Sequence, residues 1–500
     1  MPTIKLSAIY ILLFILIGWP TILLAQQNER EPGKRKHKDQ DKNNEQRMHP
    51  VFMTDIHKLI GNVIVGSPTD NSVTISFLAE NGMNVWVEYG STTKNLTEKT
   101  KVLKADSDSP IEFEISNLNN NSRYFYCIKY KKPEDSQPKT TAVFSFQTHR
   151  SESSSFTFGV QGDSHPERQG KMFSPDLYHI TAQNVAASKP DFYFMMGDDF
   201  SIDHLIEKNE ISTEKVDGIY LNQRQYVGEI ACSSPLFLVN GNHEQAAKYL
   251  LDGNAENPAV LASNSRKKFY PLPSPSDFYS GDSEKVDHVG FLKDYYAFDW
   301  GDALFVVIDP YWHSDKAVDN VAGKKMKKQN EPWAMTLGLQ QYNWFKTILD
   351  KSKARYKFVF CHHVLGSGRG GIENAKLYEW GGYNRHGEWE FDKMRPSFEM
   401  PIQPLMAKNH VSIFFQGHDH LFVRQELDGV IYQSVPNPAD NTYTAFNADA
   451  YQSGDVLPNS GFLKVNVSAK EVKVEYIRSF LKADEKEMKN GDVAFSYTLK

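Results

Sequence analysis

Phe156-Thr157-Phe158-Gly159-Val160-Gln161-Gly162-Asp163-Ser164-His165 is an apolar run that stops at a carboxylate and an imidazole. Four later runs end in the same manner. Residues 191–196 lead into Gly197-Asp198-Asp199, 235–239 into Asn240-Gly241-Asn242-His243-Glu244, 356–361 into His362-His363, and 411–416 into Gly417-His418-Asp419-His420. Short apolar runs bounded by glycine and polar residues read as buried strands. Helical patterns at 176–188 and 339–352 alternate with them, so this half of the chain is predicted to be layered α/β. In such sheets, binding groups gather beyond the carboxyl ends of the strands, which brings all five ends to one crevice. Oxygen and imidazole donors without thiolate suit Mn, Fe or Zn. Taken singly, Asp163-x-His165 reads equally well as a helix-capping turn, Gly197-Asp198-Asp199 as a plain turn, and His362-His363 as a core histidine with an exposed neighbour. Five such ends in one chain, with 16 histidines among 500 residues, are more than composition supplies.

Working outward, the polar stretches at about 201–225, 245–290, 311–336 and 364–398 exceed ordinary connections and are expected to be insertions around the crevice. Upstream, short strands at 62–65, 72–78, 84–89, 110–115, 123–131 and 142–147 are separated by Gly, Pro, Asn, Asp and Ser clusters, the pattern of a small all-β sandwich. Its Leu118, Tyr124 and Tyr126 resemble the leucine and tyrosine-corner residues of fibronectin type III domains. The chain begins with Lys5 and an apolar stretch at 6–25, which reads as an export signal, with an uncleaved anchor as the alternative. The expected division is a signal peptide at 1–25, a disordered charged linker at 26–57, the sandwich at 58–150, the catalytic domain at 155–480 and a C-terminal extension at 481–500. Hydrophobic residues at 40% and charged ones at 24% exclude overall disorder. A net charge of −6 gives no general attraction to nucleic acid, and Cys127, Cys232 and Cys361 lie too far apart in sequence to suggest a disulfide framework. No nucleic-acid-binding module is expected, nor any membrane span beyond the N-terminal segment. The expected location is secreted, periplasmic or extracellular.

The order GDxH, GDD, GNHE, HH, GHDH is similar to that of the calcineurin-like metallophosphoesterase superfamily, over about residues 156–425. Residues 295–301, 303–308 and 423–432 resemble companion segments of its purple acid phosphatase-like branch, in which a fibronectin-like sandwich precedes the catalytic domain. The resemblance implies a layered β-sandwich flanked by helices. It also implies two divalent or mixed-valence metal ions (Fe, Mn or Zn), the first held by Asp163, His165 and His420 and the second by Asn242, His362 and His418, with Asp198 bridging. His362 is preferred to His363 because it stands three residues after Val359, as in the family's VxxH pattern. His243 is expected beside the leaving group, as proton donor or transition-state stabiliser. Two cations about 3.5–4 Å apart lower the pKa of a bridging water, and the resulting hydroxide attacks phosphorus. Purple enzymes of this branch carry a tyrosine in GDxxY, where this chain has Ser201, and lack a histidine matching His165, which implies a non-purple relative. Arg385 and His386, in the segment after His362, are substrate-binding candidates. The expected function is an exported phosphoesterase acting on small phosphate esters, monoesters favoured. The alternatives are a phosphodiesterase on nucleotide or lipid-headgroup diesters, and a catalytically inactive surface binding protein.

Overall fold

The computed structural model describes residues 60–107, 109–245, 251–314, 316, 318, 331–365 and 368–500. The expected signal peptide, and all of the linker, lie outside the described residues. Two large sheets face each other. One has nine strands in the order Val493–Leu499, Val472–Arg478, Gly461–Val467, Phe156–Gln161, Phe192–Met195, Leu236–Leu238, Val63–Gly66, Val73–Leu78 and Pro110–Ile115. The other has eight, with Tyr296–Trp300, Ala303–Val307, Tyr356–Phe360, Ile413–Gln416 and Val430–Ser434 side by side. The runs that end in ligand-type residues are parallel in each sheet: Phe156–Gln161 with Phe192–Met195 and Leu236–Leu238, and Tyr356–Phe360 with Ile413–Gln416. Helices Pro175–Ser188, Thr213–Ala231 and Pro258–Phe269 contribute to the core outside the first sheet, and Leu339–Lys351 and Ile402–Lys408 to that outside the second. This is the layered α/β arrangement expected from the sequence pattern, in the form of the β-sandwich flanked by helices that the family resemblance implies.

Phenylalanine fills the space between the sheets. The rings of Phe194 and Phe360 stack at 4.1 Å between centroids, and Phe360 stacks on Phe415 at 4.8 Å. Every strand that delivers a ligand-type residue is therefore anchored in one aromatic core, where each fully buried ring contributes about 2–3 kcal/mol.

The upstream strands fall close to their expected positions, with Val63–Gly66, Val73–Leu78 and Pro110–Ile115 facing Asn84–Gly90, Arg123–Lys131 and Phe144–Gln147 across a shared core. They are not a separate bead. Gly66 pairs with Leu236, so the first three strands extend the nine-stranded sheet. Tyr126 Oη donates to the Cys232 carbonyl at 2.7 Å, and Arg123 and Arg150 both pair with Asp191. At the other end, Val493–Leu499 adds an edge strand along Val472–Arg478.

The stretch 201–225, expected as an insertion, is largely helical: Asp203–Lys208, and then the start of Thr213–Ala231, which packs against the first sheet. Its polarity disguised it. Arg224 on the buried face donates to Asn62 Oδ1, Ser76 Oγ and the carbonyls of Asn62, Ser76 and Phe269, so the interior accepts it fully paired. Part of 245–290 likewise forms helix Pro258–Phe269.

Candidate metal centre

The five strand ends meet. Asp163, His165, Asp198, Asn242, His243, His362, His418 and His420 are all buried. Donor atoms of Asp163, His165 and His420 lie within 4.8 Å of one another, as do those of Asp163, Asp198 and His362, and those of His165, Asp198 and His243. Four of these residues have left-handed backbones: His165 (φ 50°), Asp198 (57°), His418 (68°) and His420 (62°). Such conformations cost on the order of 1 kcal/mol or more each for non-glycine residues, and persist where the surroundings over-determine them. Two glycines permit the close approach. A Cβ on Gly241 would strike the Asp198 carboxylate, and one on Gly417 would strike Asp163.

Each aspartate divides its oxygens between scaffold and centre. Asp163 Oδ1 accepts from the His418 backbone N–H at 2.8 Å, and Asp198 Oδ1 from that of His243 at 2.9 Å. The Oδ2 atoms face the rings. Asp163 Oδ2 is 3.1 Å from His420 Nε2, and Asp198 Oδ2 is 3.1 Å from His362 Nε2 and 3.7 Å from His165 Nε2. One Asp198 oxygen thus reaches both halves of the cluster. Asp163 Oδ2 does so at longer range, 3.8 Å from both His165 and His362.

Whether these groups suit a cation is decided by the far side of each ring. His165 Nδ1 lies 2.7 Å from Glu167 Oε1, His362 Nδ1 is 2.7 Å from the Met196 carbonyl, and His418 Nε2 is 2.7 Å from the Gly368 carbonyl. Those acceptors fix the ring protons on the outer nitrogens. The inner nitrogens of those three rings are left facing the pocket, with His165 Nε2 3.1 Å from His420 Nε2 and His362 Nε2 3.2 Å from His418 Nδ1. Buried lone pairs and carboxylate oxygens at such distances repel unless positive charge lies between them. Against the burial that would lower it, the Asp198 and Asp163 charges favour positive charge at His362, whether a proton on the ring or a metal ion beside it. The pocket therefore attracts a cation strongly. Asn242 Oδ1 and Nδ2 are buried without a hydrogen-bond partner among the described residues, which leaves the amide oxygen available as a further donor. A neutral oxygen, two carboxylates and four imidazoles fit borderline divalent metals.

Several supporting residues had escaped sequence reasoning. The buried Glu244 carboxylate accepts four backbone N–H groups, from Asp198 (3.0 Å), Asp199 (2.6 Å), Phe200 (3.0 Å) and Gly241 (2.8 Å), locking the Asp198 loop to the Asn242 loop. Burial, and then the Asp198 charge, raise its pKa above the usual carboxylate range. Asp203 Oδ2 holds His243 Nδ1 at 2.6 Å, and Arg168 Nη2 stands 3.2 Å from His243 Nε2. Asp309 holds Asn240 Nδ2 at 2.5 Å. One signal pointed to Asp309: the apolar run 303–308 also stops at a carboxylate. His363, passed over in favour of its neighbour, stacks on His418 with centroids 4.4 Å apart, and its Nδ1 lies 2.7 Å from Tyr311 Oη. Arg385 and His386 are exposed on a turn organised by Asn384, whose Oδ1 accepts from the backbone N–H groups of His386 and Glu388. The structure does not bring either side chain to the cluster.

The family model for calcineurin-like phosphoesterases matches residues 156–422. Among solved structures, PhoD is similar with a TM-score of 0.61 and 13% identity, covering 88% of this chain and 90% of that one. Purple acid phosphatase PPD1 from yellow lupin (Lupinus luteus) seeds is similar with a TM-score of 0.53 and 14% identity, covering 87% of this chain and 73% of that one. At these identities the likeness is one of fold. No curated protein matches the chain.

Proposed function

Because this chain belongs to the calcineurin-like phosphoesterase family, we propose that it is an exported phosphatase that uses two metal ions to hydrolyse small phosphate monoesters. One observation carries the reading: the inward nitrogens of His165, His362, His418 and His420 share one pocket with the Oδ2 atoms of Asp163 and Asp198. The metal set is Asp163, His165 and His420 on one side and Asn242, His362 and His418 on the other, with Asp198 between. When bound, the two cations supply a nucleophile from water at neutral pH and neutralise charge on the phosphoryl oxygens.

The chain's own groups do the rest. Against burial, the Asp198 and Asp203 carboxylates push the His243 ring up to about 9 and so favour its charged form. Nδ1–H is held by Asp203, and Nε2 faces Arg168 Nη2, whose N–H is aimed at it across 3.2 Å. Arg168 and the charged form of His243 can both turn an N–H to a phosphoryl oxygen that comes between them, and a monoester dianion suits that seat better than a diester monoanion. As the ester bond breaks, His243 gives its Nε2 proton to the departing alkoxide, yielding alcohol and inorganic phosphate, and regains a proton from solvent. Export is supported by the apolar stretch at 6–25. No helix among the described residues is long and apolar enough to cross a membrane.

The test measures bound metal together with hydrolysis of p-nitrophenyl phosphate and its bis-ester, for wild type and Asp198→Asn. The expected result is about two metal ions per wild-type chain, faster monoester turnover, and loss of both metal and activity in the variant. Equal hydrolysis of both esters by both proteins would refute the assignment.

A further inference from the structure

The pocket that attracts cations also keeps one at its rim. Arg369, on the loop after His362, donates from Nη1 to the His418 carbonyl and lies 3.1 Å from Asp419 Oδ1. Burial and then the Arg369 charge hold the His418 pKa well below its ordinary value, and a metal ion at that ring meets the same charge. Fastening the loop does not account for such a placement. Gly370 N–H donates to Asp419 Oδ2 at 2.8 Å, Gln416 Nε2 to the Gly370 carbonyl at 3.2 Å, and Ile372 N–H to Gln425 Oε1 at 3.1 Å. These ties hold the loop without the Arg369 side chain.

Asp419 takes only part of the guanidinium. Its Oδ1 meets Nη1, while its Oδ2 already accepts from Gly370 and from Tyr451 Oη at 2.6 Å. Arg369 Nε and Nη2 have no partner among the described residues, and the side chain is 39% exposed although His418 and Asp419 are buried. The unused half of a planar donor fork thus stands at the boundary between the cluster and solvent. Arg168 occupies the other flank, beside His243 and His165. A tetrahedral phosphoryl group over the cluster has more oxygens than the Arg168 and His243 seat takes up. Those remaining are open to a donor on the His418 flank, and an anion there offsets the charge that Arg369 sets against a metal ion.

We propose that Arg369 is a further substrate-binding residue, which donates to a phosphoryl oxygen of substrate and product from the side of the cluster opposite Arg168. This inference rests on the phosphatase reading above, and inorganic phosphate, the product of that reaction, is the probe. Titration calorimetry reads phosphate affinity for the metal-loaded wild type, Arg369→Met, Arg369→Lys and the double variant Arg369→Met with Asp419→Asn. Equilibrium dialysis against Mn2+ reads the metal affinity of each. The expected result is that Arg369→Met weakens phosphate about tenfold, yet holds Mn2+ at least as tightly as wild type because a repelling charge has gone. Arg369→Lys recovers part of the phosphate affinity. The double variant leaves no buried carboxylate without its partner and still binds phosphate as weakly as Arg369→Met. A residue that only fastens the loop would lower both affinities together. That outcome, or unchanged phosphate affinity in Arg369→Met, would overturn the inference and leave the phosphatase reading intact. A wild-type protein that holds no metal and binds no phosphate would overturn both.

Discussion

Replacing Glu244 by glutamine tests how the centre is held. Each carboxylate oxygen accepts two backbone N–H groups: Oε2 from Asp198 and Gly241, Oε1 from Asp199 and Phe200. Glutamine keeps the volume but puts an NH2 where one oxygen stood, turning two buried donors against two others. A buried donor left unpaired costs about 1–3 kcal/mol, so the variant loses roughly 2–6 kcal/mol. A chain of this length melts with an entropy of roughly 1 kcal/mol per degree, which converts the loss to a fall of about 2–6 °C in Tm. Because Glu244 joins the Asp198 loop to the Asn242 loop, metal affinity falls as well, although Glu244 is placed as no ligand. Calorimetric scans of metal-stripped and metal-loaded protein, with metal analysis after dialysis, read both effects. The variant melts early in both forms and retains less metal. Wild-type Tm in the stripped protein would refute the reasoning, because the clamp consists of hydrogen bonds that need no metal.

Arg168→Ala removes one charge-assisted contact to the phosphoryl group, worth about 1.5–3 kcal/mol, so kcat/KM for p-nitrophenyl phosphate falls roughly 10- to 100-fold while metal content stays at wild type. Asp309 is pushed up to about 6 by burial, so its folded pKa lies above its unfolded one. Stability is therefore lost as pH rises from about 4 through 6, by at most about 3 kcal/mol, and Asp309→Asn flattens that part of a Tm-against-pH curve. Asp191, 4% exposed, receives Arg150 Nε at 2.7 Å and Arg123 Nη2 at 3.1 Å. The arginines are partly solvated, so Asp191→Ala costs about 2–3 kcal/mol rather than the full buried-pair penalty, a drop of a few degrees with activity at low temperature unchanged. Iron-loaded protein shows no tyrosinate band in the visible spectrum, because Ser201, 3.5 Å from His243 Nδ1, stands where purple relatives have the phenol.

The site's chemistry was legible because strand ends carry their functional residues within a few positions of an apolar run. The rule that parallel strands share one binding edge was enough to bring the runs ending near Asp163, Asp198, Asn242, His362 and His418 to one crevice, while the choice of ligands among those residues came from the family resemblance. The residues that orient them were hidden for a different reason. Asp203 meets His243 from 40 positions away and Asp309 meets Asn240 from 69, and no local pattern encodes such pairings. Arg168 stands three positions beyond the motif that ends at His165, and its placement depends on a turn there whose left-handed backbone leaves no trace in composition. The helix Thr213–Ala231 escaped because hydrophobic periodicity assumes that polar means exposed, and Arg224 breaks that assumption. Arg385 and His386 show the converse: residue types that suit phosphate, next in sequence to a ligand-bearing strand, yet carried off on a turn of their own.

The pairing of Gly66 with Leu236 sets a practical limit on dissecting the protein. A fragment cut at the composition boundary near residue 150 would strip the cover from Leu236–Leu238 and take away partners of Asp191, Arg224 and Cys232. The strand so uncovered is short but wholly apolar, and its bare amides and carbonyls would become a template for the next molecule. Such a fragment is expected to come out of the cell as inclusion bodies, however intact its catalytic residues. Expression trials should begin upstream of residue 60.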